Sequence, residues 1–283
     1  MNIKKLLANA TDKLMQYGVD SPNLEARILM QHAIGKSLEY LLVSYAEYLT
    51  EQEIIIFENF IDRRNSLEPI AYIIGSKEFY GYDFIVNNKV LVPRKDTEII
   101  VNAVLEVATN SNLKILELGT GSGCIAISLL LEIPTSYITA TDICNDALNI
   151  AKQNAIKHQV SDRLKVINSD WFKNVESQEF DIIVSNPPYI SCSDVIYMSE
   201  ETIKYEPHLA LFAENNGLES YYLIAQRAKF FLKPSGKLLL EIGFNQLESV
   251  TKIFHDYGYK INKIYKDLAG HDRVMLIDCE QKI

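Results

Sequence analysis

The chain has 283 residues, 48% of them hydrophobic, with a formal net charge of -9 and a pI near 5.2, which is ample to bury a core and comfortable for two unequal domains. The acidic balance argues against a protein whose affinity comes mainly from neutralising phosphates. Cys124, Cys144, Cys192 and Cys279 lie far apart and the five histidines are scattered, so neither a disulfide framework nor a metal site is expected; Met1 to Ala10 is too polar for a signal peptide and no apolar run reaches membrane-spanning length, so the expectation is a cytoplasmic protein with no membrane partner.

From Asn2 to Ser66 apolar residues recur at helical spacing, as in Leu6, Leu14 and Met15, then Ala26, Leu29, Met30 and Ala33. Start signals punctuate the run: Ser21-Pro22 puts a cap before a first-turn proline, Ser37 precedes the stretch to Tyr45, and Thr50-Glu51-Gln52-Glu53 reads as a capping box. This is a small helical bundle with no glycine-rich loop of its own, suited either to be a structural lid or to grip a macromolecule. Between Glu68 and Arg94 the pattern turns to short β-prone pieces, Glu78-Phe79-Tyr80 and Tyr82 to Val86, joined through Gly81; they predict a hairpin linking two domains. Val92 to Glu98 then leads into a helix from Ile99 to Ala108, for which Asp96 is the candidate cap. The boundaries expected are a helical domain over 1–75, a hairpin linker over 76–94 and an α/β domain over 95–283.

From Lys114 strands and helices alternate, which predicts a mostly parallel sheet covered on both faces. The strands are Lys114 to Leu118, Tyr137 to Thr141, Leu164 to Ile167, Phe180 to Ser185, Lys237 to Ile242, Lys260 to Tyr265 and Val274 to Asp278. The helices run from Cys124 to Ile133, Ala147 to Gln159, Leu218 to Phe231 and Leu247 to Tyr257. Only Asp267 to Arg273 separates the last two strands, too short for a covering crossover helix, so the final strand should be antiparallel.

After the first strand of that sheet comes Glu117-Leu118-Gly119-Thr120-Gly121-Ser122-Gly123, and a helix starts at once. Glycines at such a turn let backbone approach a ligand closely, and the helix start adds oriented N–H donors. Gly121 to Ala126 also satisfies the dinucleotide fingerprint G-x-G-x-x-A, so a nicotinamide or flavin site stays open at this point. Asp142, ending the second strand, is placed to accept hydrogen bonds from ribose hydroxyls. Asp170-Trp171, after the third, offers a carboxylate for an adenine amino group and an aromatic face to cover the ring.

The fourth strand stops abruptly at Asn186-Pro187-Pro188-Tyr189. Each proline fixes its own φ and restricts the residue before it, so this loop is aimed before any ligand arrives. The Asn186 side-chain oxygen and the Pro187 carbonyl can each accept one hydrogen from a planar NH₂ group, and Tyr189 offers an aromatic face. In a doubly wound sheet the first and fourth strands flank the switch point, so this loop and the glycine loop should face one crevice.

Together these features resemble the S-adenosylmethionine-dependent methyltransferases that act on planar amino groups, and most closely the release factor glutamine methyltransferases, the PrmC or HemK family. Further matches are Glu68 to Gly75, Phe79-Tyr80-Gly81, Pro93-Arg94 with Asp96-Thr97-Glu98, Ser169 to Phe172, Glu206-Pro207 with Ala210-Leu211, and Ala269-Gly270 with Asp272-Arg273-Val274. Lys95 stands where the family commonly has a second proline. The resemblance implies a Rossmann-like class I methyltransferase fold behind a helical substrate-recognition domain. It implies that Gly119, Thr120, Gly121, Ser122, Gly123, Asp142, Asp170, Trp171 and Asn186 bind S-adenosylmethionine, leaving S-adenosylhomocysteine as product. Asn186, Pro187, Pro188 and Tyr189 would hold the glutamine side chain, with Asn186, Pro187 and Tyr189 at the chemistry. The partner implied is a class 1 peptide chain release factor, with no stable nucleic-acid partner. A methyltransferase acting on adenine or guanine amino groups presents the same loop to the same planar NH₂, and is the competing reading. A non-catalytic cofactor-binding scaffold is a third, disfavoured by the complete Asn186 to Tyr189 loop.

Overall fold

The computed structural model describes residues 1–108, 112–176 and 178–279, and the chain divides into two compact units. The smaller comprises Met1–Ser76 together with Ser199–Tyr205. Its helices are α1 (Ile3–Gln16), α2 (Pro22–Ile34), α3 (Leu38–Val43), α4 (Glu51–Asn65) and α5 (Ile70–Ile74), joined by α9 (Glu200–Tyr205) from later in the chain. Ile3, Leu6, Leu14, Ala26, Leu29, Met30, Phe57 and Ile61 form its core. Met15 is 62% exposed, because one residue beyond Leu14 turns about 100° around the helix and leaves the apolar stripe.

Local chemistry explains most of the helix starts. The Thr50 hydroxyl accepts from the Glu53 N–H while the Glu53 carboxylate reaches back to the Thr50 N–H at 2.8 Å, a reciprocal capping box. The Ser37 hydroxyl accepts from the Tyr40 N–H. Ser21 corrects the sequence reading: its side chain makes no cap hydrogen bond, and Pro22 starts α2 through its fixed φ and missing donor instead. At the other end of α4, the buried Arg64 guanidinium meets Glu25 at 2.6 Å and Glu201 at 2.8 Å, and the Tyr205 hydroxyl donates to the Ser66 carbonyl. These contacts bring α9 into the smaller unit.

The larger unit is Lys77–Met198 with Glu206–Ile283. Strands β1 (Ser76–Phe79) and β2 (Tyr82–Ile85) form the hairpin, turned by Tyr80 and Gly81 at φ of 55° and 78°, the left-handed pair that a tight two-residue turn requires. Phe79 and Phe84 pack edge to face at 6.2 Å between ring centres, inside the same core as the main sheet. The hairpin is thus part of this unit's core rather than a free linker. Helix α6 (Glu98–Val107) follows a single 3-10 turn at Lys95–Thr97. Asp96 does not cap it, which corrects that expectation; its carboxylate pairs with Arg273 at 3.0 Å.

Among the described residues the main sheet has seven strands: β3 (Lys114–Leu118), β4 (Tyr137–Asp142), β5 (Leu164–Asn168), β6 (Phe180–Ser185), β7 (Leu232–Glu241), β8 (Tyr259–Lys266) and β9 (Asp272–Cys279). Their order is β5-β4-β3-β6-β7-β9-β8, with parallel pairing from β5 to β7 and β9 antiparallel to both its neighbours. Strand β7 starts five residues before the expected Lys237, with a register shift inside it between Leu232, paired with Phe180, and Lys237, paired with Ile182. Period-two alternation divides the core. Ile115, Ile182 and Leu239 face α6 and α7 (Cys124–Glu132), while Leu116, Ile183, Leu238 and Leu240 face the opposite layer. Helix α8 (Asn145–Lys157) follows β4; α10 (His208–Leu211), a kinked turn α11 (Glu214–Gly217), α12 (Glu219–Arg227) and α13 (Leu247–Asp256) complete the cover. Strand order reverses between β3 and β6, where Leu118 lies opposite Ser185, so the loops after these two strands open on one crevice.

Candidate functional site

A cavity of about 530 Å³ lies at that switch point, lined by Gly119, Gly121, Asp142, Asp170, Trp171, Asn186 and Pro188, with the segments 88–91 and 207–214 completing its wall. This volume suits a small organic ligand. Gly119 and Gly121 sit at φ of 71° and 54°, and a Cβ on either would enter open space. Their bare backbone is therefore a cradle for a ligand. The rest of the loop turns inward. Thr120 and Ser122 are buried, the Thr120 hydroxyl donates to Glu117 at 2.5 Å, and Gly123 packs so tightly on Ile127 and Ala151 that a side chain there would crowd them. Burial, opposed by the Thr120 hydrogen bond, pushes the Glu117 carboxyl up to about 8, so at neutral pH it is held mostly as the acid beneath the loop.

Asp142 stands beside the cradle. Its two oxygens accept from the N–H groups of Gly121 and Cys144, each at 2.9 Å, and each oxygen keeps a lone pair able to accept a further hydrogen bond. Burial raises its pKa, and the same backbone donors draw it back. Trp171 adopts φ of 51°, a strained conformation for a bulky residue, at a cost of about 1–3 kcal/mol. The Ser169 hydroxyl locks the turn: it donates to the Trp171 carbonyl at 2.8 Å and accepts from the Asn174 N–H at 2.9 Å. An aromatic wall, a cavity-lining carboxylate and an open backbone cradle fit a nucleoside-containing methyl donor.

The Asn186 to Tyr189 loop splits its groups between the cavity and the protein behind it. The Asn186 NH₂ donates to the Thr97 hydroxyl at 3.1 Å, which fixes the amide so that its oxygen is the free end. The Pro188 and Tyr189 carbonyls are claimed by the Ser220 hydroxyl at 2.8 Å and the Gln246 NH₂ at 2.9 Å. Among the described residues, Asn186 Oδ1 and the main-chain carbonyls of Asn186 and Pro187 take no hydrogen bond, and of these two residues Asn186 lines the cavity while Pro187 does not. Pro187 is buried, and the Tyr189 ring packs into the core with its hydroxyl 3.4 Å from Glu241 rather than lining the cavity. Burial first, and then the Glu241 charge, push the Tyr189 hydroxyl far up, so it stays protonated.

Four supports escaped the sequence reading. Asn154 is fully buried and binds both polar backbone groups of Ile85 and the Ser122 carbonyl, joining the hairpin to the glycine loop. Glu206 binds Arg94 at 2.5 Å and the Val92 N–H at 3.1 Å, which explains why two family-like stretches 112 residues apart matter to each other. Gly217, at φ of 81°, ends a run of three left-handed residues with Asn215 and Asn216, and a Cβ there would lie 2.2 Å from the Tyr189 carbonyl oxygen. The Asn-Asn-Gly triplet was a readable turn signal. Glu241 ends β7 as Asp142 ends β4; a lone acid closing an apolar strand was the clue. Among the described residues no group of His, Cys, Asp and Glu is arranged to hold a metal ion.

Comparison with known proteins agrees with this geometry. Residues 5–75 match the PrmC N-terminal domain and residues 95–208 the methyltransferase small domain. A bifunctional methyltransferase of Rickettsia conorii is 53% identical over 97% of this chain, but the chain spans only 57% of that protein's length. The fold is shared with a methyltransferase from Pyrococcus furiosus, at a TM-score of 0.54 and 23% identity over 78% of this chain and 97% of that one. A release factor glutamine methyltransferase of Aliivibrio fischeri is 37% identical over 98% of this chain and 97% of its own. Likeness that runs through both units at this level means that the chain belongs to the release factor glutamine methyltransferase family.

Proposed function

We propose that this chain transfers a methyl group from S-adenosylmethionine to the side-chain amide nitrogen of the glutamine in the Gly-Gly-Gln loop of class 1 peptide chain release factors. The observation that carries this reading is Asn186 on the wall of the cavity, its NH₂ tied to Thr97 so that Oδ1 is free to accept, beside a cradle suited to the donor; the Pro187 carbonyl is the second acceptor the reading assigns. The bound donor supplies an electrophilic methyl on a sulfonium. An amide nitrogen is a poor nucleophile because its lone pair is delocalised into the carbonyl. Two acceptors that hold both N–H bonds turn that nitrogen so its lone pair faces the methyl, and the prolines keep those acceptors in place without reorganisation. Asp142, Gly119 and Gly121 bind and orient the nucleoside; Trp171 covers it. The amide proton made acidic by methylation leaves to solvent or a neighbouring acceptor.

A glutamine loop offers few contacts inside the crevice, so selection among glutamines must come from surface outside it; the helical unit Met1–Ser76 is the supplier this reading assigns. No described helix is long and apolar enough to cross a membrane, and the reading places the chain in the cytoplasm, with release factors. Incubation with labelled S-adenosylmethionine and intact release factor, followed by mass spectrometry, should put one methyl on that glutamine. Label on adenine or guanine of nucleic acid instead, with release factor untouched, would replace this reading by its competitor.

A further inference from the structure

Behind Asn186, on the side away from the cavity, lie two groups with unmet hydrogen-bonding needs. The Thr97 hydroxyl accepts from the Asn186 NH₂ at 3.1 Å and makes no capping bond to α6, so its own single proton must find an acceptor. Thr97 is 3% exposed, and water is not the acceptor at hand. Glu241 is 2% exposed; its Oε1 takes the Tyr189 hydroxyl at 3.4 Å, and its Oε2 is buried without a hydrogen-bond partner. The Thr97 hydroxyl nevertheless acts on this carboxyl, short of full hydrogen-bond geometry, and lowers its pKa. A buried donor lacking an acceptor and a buried acceptor lacking a donor satisfy each other through a small side-chain rotation.

We propose that Thr97 and Glu241 form a hydrogen-bonded chain behind Asn186 that fixes which end of its amide faces the substrate, and that both are positioning residues for methyl transfer. The direction of the chain is what matters. A Glu241 carboxylate can only accept; Thr97 then donates to it and must accept from Asn186, which commits the Asn186 NH₂ inward and its oxygen outward. A flipped Asn186 would present two hydrogens to the substrate's two hydrogens, and the site would repel the group it holds. The inference rests on the function proposed above for its substrate, not for its geometry.

The chain has a built-in titration. Burial pushes the Glu241 carboxyl up to about 7; Thr97, Arg273 and Tyr189 draw it down and Asp96 adds to the rise. Cys124 and Tyr221 are other titratable groups beside it, and Arg94 acts on its neighbour Tyr189. Below that pH the neutral carboxyl is itself a donor and competes for the Thr97 lone pairs; above it the chain has one direction. Methyl transfer should therefore rise with pH through about 7.

The test uses the full chain with ¹⁵N-labelled asparagine. In the wild type the Asn186 side-chain NH₂ resonances should shift with a midpoint near pH 7; in Glu241→Gln the shift should vanish, and kcat should lose its step over the same range. Thr97→Val should lower kcat by roughly ten- to a hundredfold, with S-adenosylmethionine affinity and melting temperature held, while Thr97→Ser restores turnover. An Asn186 resonance that ignores pH in the wild type, or titrates unchanged in Glu241→Gln, overturns the proposal. So does a Thr97→Val enzyme as fast as wild type. If the resonances behave as stated but release factor is not methylated, the chain stands and the substrate reading falls.

Discussion

Replacing Asn154 by alanine tests whether the glycine loop is held from behind. The side chain is 0% exposed and makes three hydrogen bonds: 2.7 Å from the Ile85 N–H, 2.9 Å to the Ile85 carbonyl and 2.9 Å to the Ser122 carbonyl. Each such bond contributes about 1 kcal/mol net, and a buried group left unpaired costs about 1–3 kcal/mol. Ile85 is half-buried, so water can recover part of its loss; Ser122 is buried, and its carbonyl stays orphaned. The sum is about 3–4 kcal/mol, or a fall of on the order of 10 °C in melting temperature for a unit of this size. Asn154→Asp should be no better, because it sets a carboxylate against two carbonyl oxygens that require donors. Thermal and urea melts read the stability, and calorimetry with S-adenosylmethionine reads the loop, whose affinity should fall as Ser122 is released. A melting temperature within about 2 °C of wild type in Asn154→Ala, or a well-tolerated Asn154→Asp, would refute the claim that this amide holds the loop.

Other perturbations address the remaining parts of the site. Asn186→Ala should slow methyl transfer about a hundredfold or more while leaving S-adenosylmethionine affinity nearly unchanged, as single-turnover rates and calorimetry would show. Asp142→Ala should weaken that affinity by roughly 1.5–3 kcal/mol, and an unchanged dissociation constant would make Asp142 only a tether for the Gly121 and Cys144 N–H groups. Gly217→Ala combines a left-handed backbone with a contact of 2.2 Å to the Tyr189 carbonyl; it should cost more than about 2 kcal/mol by denaturant titration and impair turnover through the displaced loop. Glu117 holds a proton in the fold up to about pH 8 that the unfolded chain releases near the ordinary carboxyl value of 4.5. The folded state thus binds more protons across that window, and stability should decline as pH rises through it. Glu117→Gln should flatten the decline in melts taken from pH 5 to 9, and an unaltered slope would remove Glu117 as its source.

What was legible in the sequence was whatever depends on periodicity or on covalent geometry. The alternation of Ile115 with Leu116 and of Ile182 with Ile183 made the strands readable, and the shortness of the connection between the last two strands, too brief for a crossover helix, made the direction of β9 readable. The site itself was readable where one residue type has one use, as in prolines that aim a carbonyl or bare glycines that open a wall. Pairings across the chain were not readable. Nothing local to Asp96 says that it serves Arg273 rather than the helix beside it, and nothing local to Tyr189 says that its ring goes to the core. Gly123 and Gly121 look alike in sequence, yet one meets Ala151 and the other open space. Contact of that kind is decided by tertiary packing, which composition and spacing do not encode.

The excursion of α9 into the smaller unit has a consequence for how the protein is made. Arg64 and Glu201 are 137 residues apart in sequence, so the bundle that is translated first cannot complete its polar contacts until most of the second unit's sheet has left the ribosome. Synthesis at about 5–20 residues per second puts that delay on the order of ten seconds. During it Arg64 has Glu25 as partner but not Glu201, and the Ser66 carbonyl waits for Tyr205. A loop this long adds little closure entropy for each further residue, so the delay is a matter of order of events rather than of stability. The early bundle is expected to be native-like but loose at the C-terminal end of α4, and to tighten in a late step of slow, non-local character. Stalled nascent chains ending before and after Glu201 should differ in protease resistance at that end, and nowhere else in the bundle.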